Sequence, residues 1–76
     1  MAIVRHLELQ NLHNEARHTE TEGTYSLVEQ SDGKYLQIDT YGSSERKMAG
    51  KKSQSIRLSR EALAELRDII GRHFHL

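Results

Sequence analysis

The eight residues Lys34–Tyr41, KYLQIDTY, constrain this chain more than any other stretch. Apolar and polar side chains alternate along them, the period of an extended strand and not of a helix. Leu36, Ile38 and Thr40 are expected on one face, and Tyr35, Gln37, Asp39 and Tyr41 on the other. A strand must have a neighbour, and the sequence supplies one on each side. Upstream, TYSLVEQ (24–30) is rich in strand formers and is joined to it through Ser31-Asp32-Gly33-Lys34, whose Asp-Gly pair suits a tight hairpin turn. Downstream, KSQSIRL (52–58) alternates again, with Ile56 and Leu58 inward and Ser53, Ser55 and Arg57 outward. Between them, residues 42–52 form a polar, basic wing.

The segment after residue 58 changes period. Ala62, Leu63, Leu66, Ile69 and Ile70 recur at helical spacing. Ser59 is a suitable N-cap, with Leu58 and Leu63 placed as a hydrophobic staple and Glu61 in the first turn. Gly71 reads as the stop, giving a helix over 59–71 and a tail at 72–76. At the other end, IVRHLEL (3–9) alternates as a further strand, and 10–23 read as a polar connection. The expectation is one α+β domain over 1–76: a four-stranded antiparallel sheet followed by a C-terminal helix, β-β-β-β-α. The helix would cover the face carrying Leu36, Ile38, Ile56 and Leu58.

Seventy-six residues, 36% of them hydrophobic, can bury only a modest core, which makes self-association a natural way to complete it. Without cysteine there is no disulfide, thiolate metal site or cysteine nucleophile. Arg5, His6 and Glu8 interrupt the N-terminal apolar stretch, so neither a signal peptide nor a membrane span is expected, and a cytoplasmic protein is. The five histidines include no HExxH and no pair at the i,i+4 spacing of a zinc protease, which leaves a metal-dependent enzyme through His13, His18 and Glu15 as the weakest alternative. No nucleophile–base pair or glycine-rich phosphate loop stands out, so no enzyme, cofactor or metal is expected.

Net charge is zero but unevenly spread. Residues 1–44 carry three basic and seven acidic side chains, 45–60 carry six basic and one acidic, and 61–76 carry two and three. A local positive field can recruit an anionic partner to a neutral molecule. On the sheet face away from the helix, Tyr35 and Tyr41 would offer rings for base stacking. Arg46, Lys47, Lys51, Lys52 and Arg57 would neutralise phosphates, and Gln37, Ser53 and Ser55 would donate hydrogen bonds. The function expected is binding of single-stranded nucleic acid, DNA before RNA. The alternative is a protein-interaction module or inhibitor acting through the acidic N-terminal half, with Glu8, Glu15, Glu20 and Glu22.

The succession YLQIDTYG, SSERKMAGKK, SQSIRLS and REALAELRDII resembles the positive cofactor four family of transcriptional coactivators, which has bacterial and phage relatives. Lys47, Gly50, Lys51, Lys52, Ile56 and Leu58 take the matching places, and the resemblance covers about residues 22–72. It implies a homodimer paired through the helix 59–71, with curved sheets forming channels for unpaired DNA in transcription, replication or repair.

Overall fold

The computed structural model describes residues 1–13, 18–41 and 54–76. In chain order its elements are β1 (Ala2–Val4), β2 (Gly23–Gln30), β3 (Gly33–Thr40), β4 (Gln54–Leu58) and α1 (Arg60–Phe74). The strands form a single sheet in the order β1-β4-β3-β2. The protein is thus α+β, with a four-stranded sheet followed by one C-terminal helix.

The alternation along β3 sets the register on both sides. Leu36 stands opposite Leu27 and Leu58, and Ile38 opposite Tyr25 and Ile56, so these residues share a face. Gln37 stands opposite Ser26 and Arg57, and Asp39 opposite Thr24 and Ser55, on the other face. The turn lies one residue earlier than the expected Asp-Gly pair: Ser31-Asp32 closes the hairpin at the pair Gln30–Gly33, and Gly33 is already the first residue of β3. Gly33 adopts φ 142°, a backbone region that a side chain would strain.

Three expectations need correction. The sheet is mixed, not wholly antiparallel: β1 pairs parallel to β4, with Ala2 opposite Ile56 and Val4 opposite Leu58. The first strand and the last are joined by the entire hairpin, so nothing in local spacing announces that they are neighbours. β1 also stops at Val4, not at residue 9, because Arg5, His6 and Leu7 turn to side-chain partners elsewhere. The helix, finally, runs through Gly71 to Phe74. Its C-cap is His75, in the left-handed conformation at φ 57°, ψ 37°. A glycine within a helix costs about 1 kcal/mol but ends it only where the chain turns left-handed.

The helix begins as its sequence requires. Ser59 is extended (φ −72°, ψ 170°), and its Oγ accepts a hydrogen bond from the Ala62 amide at 3.2 Å. The Ser59 amide in turn donates to the Val4 carbonyl at 3.0 Å, tying the helix start to the end of β1. α1 packs on β3 and β4. Ala62 is wholly buried, while Leu63, Leu66, Ile69 and Ile70 are only half-buried.

Burial is distributed against expectation. Among the described residues the buried hydrophobic side chains are Tyr35, Leu58 and Ala62, and the buried polar ones are Gln37, Asp39 and Ser59. The face read as outward on β3 is therefore the more buried of the two. On the face read as inward, Leu36 and Ile38 are half-buried and Ile56 is exposed.

Candidate nucleic-acid interface

The candidate site lies where β3 and β4 present polar side chains to the same side. Because Gln37 faces Arg57 and Asp39 faces Ser55 across the ladder, four polar groups stand within reach of one another. Arg57 Nε donates to Gln37 Oε1 at 2.8 Å. Gln37 Nε2 donates onward to both Asp39 oxygens, at 3.1 and 3.2 Å. Ser55 Oγ donates to Asp39 Oδ1 from the other side. The arrangement is directional: Arg57 orients the Gln37 amide, and the amide points its donor at the carboxylate. Asp39 is 1% exposed, so its buried oxygens need hydrogen-bond donors such as these.

Tyr35 occupies the hairpin end of the same face. Its hydroxyl donates to Asp32 Oδ2 at 2.8 Å and accepts from Arg5 Nη2 at 3.2 Å. The Arg5 guanidinium carbon lies 5.8 Å from the ring centroid, within cation–π range. That hydrogen bond with Tyr35, above all, raises the Arg5 pKa. The tyrosine thus joins the end of β1, the turn and β3.

Two of the expected contact residues are buried and engaged within the fold. Tyr35, at 4% exposure, has no free ring face for a base, and Gln37, at 6%, spends its amide on Asp39 and Arg57. Ser55 and Arg57 are half-buried beside them. Tyr41 is half-buried, its hydroxyl 3.1 Å from Thr24 Oγ1, and retains accessible surface. Arg46, Lys47, Lys51, Lys52 and Ser53 lie outside the described residues.

Sequence reading missed Arg5, Asp32 and Asp39 as partners. An aspartate at an alternating position opposite a serine was the available signal for Asp39. Nothing local links Arg5 to a tyrosine thirty residues away. The helix carries a second polar junction. Glu65 Oε1 accepts from the Leu7 amide at 2.7 Å, and its Oε2 lies 3.3 Å from His6 Nδ1. The Leu7 amide first, then His6, holds the Glu65 carboxyl below the ordinary carboxylate value. Glu61 is also lowered, by its own amide and then by Ser59 at the helix start.

Among the described residues, no three His, Asp or Glu side chains gather as a metal site, and no helix is long and apolar enough to cross a membrane. Comparison with protein-family models, curated proteins and solved structures finds no match to this chain.

Proposed function

We propose that the protein binds nucleic acid without catalysis, gripping the phosphate backbone with Arg57 and the basic segment 46–52, and prefers single strands. The observation that carries this reading is the position of Arg57. It projects from the polar ladder of β4, held by Gln37, on the strand into which the most basic stretch of the chain leads. A guanidinium anchored through Nε keeps its terminal nitrogens for an anion, the geometry in which arginine binds phosphate. Tyr41, at the start of that basic stretch, is the remaining candidate for stacking on a base. Phosphate contacts rather than stacking therefore dominate, and affinity falls with salt as counterions are released.

The test is charge reversal. Lys51→Glu with Lys52→Glu abolishes binding to a fluorescent oligo-dT probe while the circular dichroism spectrum stays unchanged. Unchanged binding by a folded double variant would refute the reading. The rival, a protein-interaction module, is favoured by the exposure of Glu8, Glu20 and Glu22. It predicts capture of a basic partner that depends on these acids, with no binding of oligonucleotide.

A further inference from the structure

Among the described residues, β2 is the long open edge of the sheet. The opposite edge, β1, is three residues long, whereas β2 has eight, and all but the half-buried Val28 are exposed. The hairpin fixes which of its backbone groups are free. A two-residue turn makes its closing pair, Gln30–Gly33, the hydrogen-bonded kind, and the two kinds alternate along an antiparallel ladder. Val28, Ser26 and Thr24 therefore point their amides and carbonyls at β3. Glu29, Leu27, Tyr25 and Gly23 point theirs outward, where no backbone partner meets them among the described residues. Protected edges carry prolines, bulges or central charges. Here Thr24–Val28 contain no charge, the chain contains no proline, and the pairing with β3 runs unbroken.

The side chains on this edge are as open as its backbone. Tyr25 is 73% exposed and Leu27 81%, beside the half-buried Leu36 and Ile38.

We propose that β2 pairs antiparallel with β2 of a second copy of this chain about a two-fold axis through Ser26, joining two four-stranded sheets into one. The two-fold operation brings residues of one strand opposite residues of the other in a self-complementary way. With the axis at Ser26, Tyr25 faces the partner's Leu27, and Gly23 faces the partner's Glu29. These are the residues with outward backbone groups, so every free amide meets a free carbonyl. The register also makes two aromatic–aliphatic cross-strand pairs on one face and two Thr24–Val28 pairs on the other, all favourable. Moving the axis to Leu27 would set Glu29 against Tyr25. The interface lies on β2 and not on the helix, whose apolar side chains are already half-covered within one chain. This inference is independent of nucleic-acid binding.

The absence of cysteine allows a direct test. Opposed residues in a non-hydrogen-bonded antiparallel pair have Cα atoms about 4.5 Å apart, inside the roughly 4.4–6.8 Å window of a disulfide. Ser26→Cys should therefore form an interchain disulfide rapidly under mild oxidation. Ala64→Cys, on an exposed helix position, serves as the collision control. Sedimentation equilibrium should give twice the chain mass for the unmodified protein, and the monomer mass for Leu27→Glu with an unchanged circular dichroism spectrum. A monomeric unmodified protein overturns the proposal. So does a dimer that survives Leu27→Glu and is lost with Ile69→Glu, or a Ser26→Cys variant that cross-links no faster than the control.

Discussion

Arg57, Gln37 and Asp39 show how one face of a strand pair can combine a half-buried cation with two buried polar side chains that support it. Their hydrogen bonds run in one direction, from cation to amide to buried carboxylate. Gln37→Ala removes the link that serves both ends. It should destabilise the fold by roughly 1–3 kcal/mol in urea denaturation, since the buried Asp39 loses donors. On the proposed reading it should weaken oligonucleotide binding less than Arg57→Ala does, because there Gln37 holds the cation through Nε and makes no contact of its own with the phosphate. Glu65 and Glu61 make a different statement. Folding favours the ionised form of both, since both pKa values are lowered from the ordinary 4.5. Their contribution is therefore complete above that value and disappears as pH falls through the lowered folded values. Glu65→Gln should flatten the fall in melting temperature on acidification below about pH 4.5 and leave the neutral-pH slope unchanged.

At the scale of elements, the helix cap and the hairpin turn are the local devices that specify the fold. Ser59→Ala deletes the acceptor for the Ala62 amide and should cost about 1 kcal/mol. Gly33→Ala forces a side chain into φ 142° and should cost roughly 1–2 kcal/mol, although the added methyl meets no neighbour within 4 Å. Both are measured by urea denaturation, and the second separates backbone strain from crowding. These same elements were the ones legible in the sequence. The alternation of 34–41 correctly assigned Leu36 and Ile38 to one face and Gln37 and Asp39 to the other. It could not say which face is buried, because Tyr35 is covered through Arg5 and Asp32, which no periodic pattern connects to it. The parallel seat of β1 was equally hidden, being a contact between the two ends of the chain. Gly71 misled because glycine permits a left-handed stop without imposing one, and His75 takes that conformation instead. Of the site, Ser55 and Arg57 were correctly placed on one face. Tyr35 and Gln37 were on that face too, but as its foundation.

For the whole molecule, a neutral chain with its positive charge concentrated between residues 46 and 60 is expected to bind an anionic polymer locally, not to coat it. Pairing at β2 would leave β4 on the far side of β3 in each copy and give the assembly two separate Arg57-bearing strands. The fold can thus be completed at one edge of the sheet while ligand is held toward the other. The most direct test of this account is the salt dependence of binding to a single-stranded oligonucleotide, measured by fluorescence anisotropy alongside a duplex probe. If Arg46, Lys47, Lys51, Lys52 and Arg57 each neutralise a phosphate, log K should fall against log salt with a slope of about −3 to −4 for the single strand. The Lys51→Glu, Lys52→Glu variant should lose binding altogether, and the duplex should bind more weakly. Absent binding at low salt, or binding indifferent to salt, would contradict it.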